Sequence, residues 1–148
     1  MRKIRFAKAV LLIFVVVFMI GTLSACSLLK IKSPDKYELN NGETVPSITS
    51  VVGDRSVRTR KIGLTDIEQQ ISYSYKDVEA PAEDVEEYVD YLVSRGYKNT
   101  TSSHIYGESG ELILTKASDT NAEYTITVTV TYGEDTYKVS VVRAKSGY

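Results

Sequence analysis

The chain has 148 residues, with 18 Lys and Arg against 19 Asp and Glu, one His, one Cys and no Trp, for a net charge of −1. That length suits one domain with an extension and is too small for two full domains. One cysteine excludes a disulfide framework, and the slight acidic excess argues against a nucleic-acid binder.

The chain begins with Arg2, Lys3, Arg5 and Lys8 and no acid among them. Positive charge of this kind is held on the cytoplasmic side of a bilayer. Ala9 to Ile20 is then apolar without a break, and Gly21 and Thr22 end the run. Such a run fits the h-region of a signal peptide, whereas a spanning helix needs roughly twenty apolar residues. Two small residues, Ser24 and Ala25, precede the single cysteine, Cys26. Two competing readings of the segment are a transmembrane anchor and an ordinary cleaved signal with a free thiol.

Leu23-Ser24-Ala25-Cys26 resembles the lipobox of bacterial lipoproteins, which is a leucine, two small residues and a cysteine. The resemblance covers roughly the first quarter of the chain and says nothing about the rest. It implies a signal peptide over 1–25, transfer of diacylglycerol to the Cys26 sulfur, and cleavage before Cys26. N-acylation of the new terminus is left open. Stable membrane anchoring takes about two lipid chains, and a diacylglyceryl group supplies them. The expected location is the cell membrane, with the protein lipid-anchored on its extracytoplasmic side. Loss of the four N-terminal basic residues leaves 14 Lys and Arg against 19 Asp and Glu, a net charge of −5. That balance speaks against nucleic acid and against a polybasic grip on anionic lipid.

Residues 26–46 read as the lipidated terminus and a flexible tether, since Ser33-Pro34 and Asn40-Asn41-Gly42 break any lasting period. Docking of Lys36-Tyr37-Glu38-Leu39 on the domain is the alternative. A single domain is expected over 47–148. Ile48 to Val52 reads as a first strand and Ser56 to Ile62 as a second, whose three basic residues suit a charged edge. Gln69 to Val78 alternates Ile71, Tyr73 and Tyr75 with Ser72 and Ser74, a half-buried strand pattern.

One helix is expected after Pro81. Val85, Tyr88, Val89 and Leu92 fall at i, i+3, i+4 and i+7, Val93 widens the stripe, and Tyr91 lies off it. Pro81 suits the first position, and Glu83, Asp84, Glu86 and Glu87 complement the dipole. Gly96 suits a left-handed C′ residue, with Tyr97 packing back on Leu92. Three strands then follow: Glu111 to Ala117, Tyr124 to Tyr132 and Tyr137 to Val141. The second alternates apolar residues with Thr125, Thr127, Thr129 and Thr131. The predicted fold is α+β: an antiparallel sheet of about five or six strands with one amphipathic helix on one face.

Chemistry-bearing patterns are few. His104 has no second histidine or free thiol nearby in sequence to share a metal, and neither a metal nor a cofactor is expected. The acids from Glu83 to Glu87 lack the spacing of a calcium loop and are explained by a helix start. No serine lies in a nucleophile motif, and no glycine-rich phosphate loop occurs. Eleven Tyr against three Phe is the one compositional excess, and all three Phe precede Cys26. Tyr pairs an apolar body with a polar tip and suits interfaces. Tyr73, Tyr75, Tyr91 and Tyr106 are the candidate contact surface for a peptide, glycan or envelope protein. The competing explanation is a small core built with Tyr. The layout resembles small surface lipoproteins of Gram-positive bacteria. The expected function is a non-enzymatic binding or accessory module of the cell envelope, with an extracytoplasmic hydrolase of cell-wall substrate as the alternative.

Overall fold

The computed structural model describes residues 31–65, 68–101 and 107–146. A two-stranded hairpin opens it, β1 (Lys36–Glu38) against β2 (Thr44–Pro46), followed by a short helix α1 (Thr49–Val52). Then come β3 (Ser56–Leu64), β4 (Glu68–Lys76), helix α2 (Pro81–Ser94), β5 (Lys98–Asn99), β6 (Gly110–Ala117), β7 (Tyr124–Tyr132) and β8 (Tyr137–Lys145). The main sheet has six strands in the order β3-β4-β8-β7-β6-β5, antiparallel throughout. This is the expected α+β fold. Among these residues no helix is long and apolar enough to cross a membrane.

Period-2 alternation decides which face of the sheet is buried. Ile71 pairs with Val141, which pairs with Val128, which pairs with Leu114. All four are buried. One residue along, Ser72, Ser140, Thr129 and Ile113 form the matching row on the opposite face, where Ser72 and Ser140 are still buried and Thr129 and Ile113 are half-buried. The last strand, β8, lies between β4 and β7, so the sheet is continuous only once the C-terminal strand is in place.

Helix α2 connects one side of the sheet to the other and covers its apolar face. Val85, Tyr88 and Leu92 are fully buried and Val89 nearly so. Val93, expected in the stripe, is instead 47% exposed. The stripe therefore stays on the narrower seam set by a 3.6-residue period. The helix ends as expected: Gly96 has φ +89°, its N–H donates to Val93 O, and the Tyr97 N–H donates to Leu92 O at 3.1 Å. Those two bonds satisfy carbonyls that would otherwise be orphaned, and Tyr97 turns into the core.

Two expectations are corrected. The tether does not extend to Pro46. From Ser33 onward the chain is packed on the domain, with Tyr37, Leu39 and Val45 at 1%, 3% and 0% exposure. Its turn is held by Leu39 N–H donating to Glu43 O, with Gly42 at φ +83°. The hairpin adds three apolar side chains to a core that the sheet and helix leave uncovered. Second, Ile48 to Val52 is not a strand but the start and body of α1. The Ser50 N–H donates to the Ser47 hydroxyl at 3.2 Å, and Ile48 drops fully into the core. Burial of Ile48 and a local serine cap outweigh the β propensity of Ile and Val.

Candidate functional site

The tyrosines decide what surface remains for function. Tyr73 and Tyr75, expected as candidates for contact, are 6% and 1% exposed. Both stand on the apolar face of β4, and the docked hairpin covers them. Tyr37 lies 5.4 Å from Tyr73 between ring centroids, and Tyr75 lies 5.0 Å from Tyr137. The hydroxyls of Tyr37 and Tyr75 share a hydrogen bond of 3.1 Å, and Tyr88 donates to Pro46 O at 2.8 Å. Burial pushes the phenols of Tyr37, Tyr75, Tyr88, Tyr97 and Tyr137 above their ordinary value. The Tyr137 hydroxyl is buried with no hydrogen-bond partner. These rings are a core that joins hairpin, helix and sheet. Tyr91 is half-buried, with the Arg95 guanidinium 5.0 Å above its ring. Tyr106, His104 and the segment Leu23, Ser24, Ala25 and Cys26 lie outside the described residues.

Two polar clusters fix the frame. Arg55 grips Asp84 through two hydrogen bonds of 2.7 Å and ties the start of β3 to the first turn of α2. The hydrogen bond to Asp84 raises the Arg55 value, against some loss from burial. Asp84 is therefore a buried partner as well as a dipole charge. The second cluster centres on Glu43, a buried carboxylate at the hairpin turn. It accepts hydrogen bonds from the Ser118 hydroxyl and the Asp119 N–H, both at 2.7 Å. Arg143 Nε lies 3.5 Å away, too poorly aligned for a hydrogen bond, with its guanidinium stacked 3.8 Å over Tyr124. Desolvation raises the Glu43 value, but hydrogen bonds from Ser118, the Asp119 amide, Asn41 and Thr120 outweigh it and leave it lowered. The sequence signal for this knot is weak: one acid in Asn-Asn-Gly-Glu and a distant Ser-Asp-Thr turn.

What the fold leaves open is the β3 edge. Among the described residues this strand pairs only with β4, so its other side has no strand neighbour there. A bulge between Val57 and Thr59 leaves Arg58 as the extra residue. Arg60, Ile62 and Leu64 then form the core-side row, opposite Tyr73, Ile71 and Gln69. Neither the helix nor the hairpin reaches the end of that row: Ile62 is 56% and Leu64 64% exposed. A groove of about 260 Å³ runs beside it. Residues from Pro34 to Glu38 form one wall, and Arg60, Ile71 and Tyr73 form the floor and the other wall. Arg60 lies 5.7 Å over the Tyr73 ring.

This edge sets exposed apolar side chains and cations along one strand. Among the described residues no group of three or more His, Cys, Asp or Glu is placed to hold a metal ion. No family model matches the chain, and neither does a curated protein or a solved structure.

Proposed function

We propose that the chain is a lipid-anchored extracytoplasmic protein that acts by binding at the cell envelope. The observation that carries this reading is Leu23-Ser24-Ala25-Cys26 standing directly behind a basic n-region and an unbroken apolar run. A diacylglyceryl group on Cys26 would hold the domain to the outer side of the membrane, with the mature net charge keeping most of its surface off anionic lipid. The uncovered β3 edge and its groove support the binding half of the reading, because they present apolar and charged side chains on a rigid strand. The partner classes that suit such an edge are an envelope protein, a peptide or a glycan.

Metabolic labelling tests the anchor. The wild-type chain should incorporate labelled fatty acid, and Cys26→Ala should incorporate none and stay uncleaved at this site. Retained label in the alanine variant would sink the reading. Crosslinking of the anchored protein in intact membranes tests the binding half: discrete adducts are expected, and recovery of the protein free of any adduct counts against it.

A further inference from the structure

Four large apolar side chains are exposed among the described residues: Ile31, Ile62, Leu64 and Val93. Val93 stands alone on α2. Ile31 lies on the approach to the domain, and Ile62 and Leu64 lie on the far half of β3. The chain enters at the Val57 end of that strand, where Ser33 bonds Thr49 and Pro34 O accepts from Ser47 and Thr49 near Tyr75, the partner of Val57. Lys32 on the approach and Arg58, Arg60 and Lys61 on β3 are exposed. Among the described residues no carboxylate lies within ion-pair distance of these four cations. Acids are present on the groove wall, at Asp35 and Glu38, and Glu38 is 4.0 Å from Lys36.

We infer that the β3 edge, through Arg58, Lys61, Ile62 and Leu64, docks on the anionic phospholipid surface to which the chain is tethered. The inference rests on the anchoring reading above. Chain length supplies the first argument. Cys26 and Ser33 are seven residues apart, which spans at most about 25 Å fully extended. A domain of this size is roughly 30 Å across. The tether is therefore shorter than the domain, so the β3 edge, whose Val57 end lies at the entry point, is held close to the bilayer and can lie along it. Tethering also raises the effective concentration of that surface, so a weak patch suffices.

Charge supplies the second argument. The mature chain is net acidic, which by itself disfavours anionic lipid. Screening makes the balance local, because the Debye length is about 8 Å at physiological salt. The membrane senses the face turned toward it and not the far side. A basic edge on an acidic domain is then an orienting device: this edge is drawn in and the remainder is pushed away. Exposed Ile62 and Leu64, flanked by cations, give the edge apolar groups to place among acyl chains. Pairing of β3 with a second copy is disfavoured, since Arg58, Arg60 and Lys61 would face their own like charges.

The test uses the mature lipidated protein in vesicles of phosphatidylcholine with phosphatidylglycerol, and in phosphatidylcholine alone. The Cys26 sulfur is consumed by the lipid, so Leu64→Cys introduces the only free thiol. A fluorophore there is read against nitroxide on the acyl chains. Thr129→Cys, half-buried on the opposite face of the sheet and three strands from β3, is the control. Quenching at position 64 should exceed that at position 129 several-fold in anionic vesicles. The excess should vanish with Arg58→Glu and Lys61→Glu together, in a protein whose circular dichroism is unchanged. No other protein is present, so a peptide zipped along β3 cannot mimic the result. Equal quenching at the two positions, with the intact mass showing diacylglycerol on Cys26, overturns the docking inference. A mass without that group overturns the anchoring reading and the inference with it.

Discussion

Raising the pH should unfold this domain steeply, because its core is built from phenols. Five tyrosines, Tyr37, Tyr75, Tyr88, Tyr97 and Tyr137, have values raised by burial. The sign follows from linkage. A phenol whose folded value lies above its unfolded value stays protonated in the fold while the unfolded chain ionises. Its stabilising contribution is whole below the unfolded value of about 10 and is lost as pH rises above it. Each such group contributes a slope of about −1.4 kcal/mol per pH unit, and five together about −7 kcal/mol per unit. Domain stabilities run at about 5–15 kcal/mol, so unfolding should be complete within about one to two units above pH 10. Tyrosinate absorbance and circular dichroism, followed in one titration, check this: the five phenols should ionise in one step together with loss of the fold. Gradual ionisation of all eleven tyrosines with the fold intact would refute the reasoning. Tyr137→Phe sharpens the test. It removes a buried hydroxyl that has no partner, so it should stabilise the domain by about 1 kcal/mol and reduce the alkaline slope by about a fifth.

Glu43 governs the acid side: its lowered value means that it contributes stability above the unfolded carboxylate range, lost as pH falls through its folded value. Glu43→Gln should therefore destabilise at neutral pH and flatten the acid limb of a stability–pH curve, and an unchanged limb would remove Glu43 from the account. Val128 is fully buried between Leu114 and Val141, and Val128→Asp should cost about 4 kcal/mol or more by combining lost burial with an unpaired carboxyl. Thr129→Asp, half-buried on the opposite face, should cost about 1 kcal/mol; equal midpoints for the two in a denaturant titration would mean the strand register is wrong. Tyr75→Ala should cost about 3–5 kcal/mol as a core truncation, whereas Tyr91→Ala, off the core, should fall within about 1 kcal/mol in the same titration.

Most of the sheet was legible because its strands are long and strictly alternating. Nine residues from Tyr124 to Tyr132 leave no ambiguity of period, and the bulk of β4, β6 and β8 follows the same rule. Helix α2 was legible for a different reason: Pro81, the apolar stripe and Gly96 agree on start, face and stop. The hairpin reads from sequence as a tether, with docking of Lys36 to Leu39 only the alternative, because three-residue strands are too short to show a period. Its trace in sequence is Tyr37-x-Leu39, then Asn41-Gly42, then Val45, a turn signal between apolar residues. The tether reading carries over to the site. With the hairpin read as a tether, Tyr73 and Tyr75 are free to face a partner; with it docked, they are core. The open edge moved instead to β3, where the three basic residues had already marked a charged strand. The exposure of Ile62 and Leu64 was not legible, since it depends on where the hairpin and helix stop.

The account rests on Cys26, and the intact mass of the protein extracted from cell membranes tests it most directly. The account predicts a chain that begins at Cys26 and carries a diacylglyceryl group, with or without a further acyl chain on the new amino terminus. A chain that keeps residues 1–25, or one that starts at Cys26 with an unmodified thiol, would contradict it.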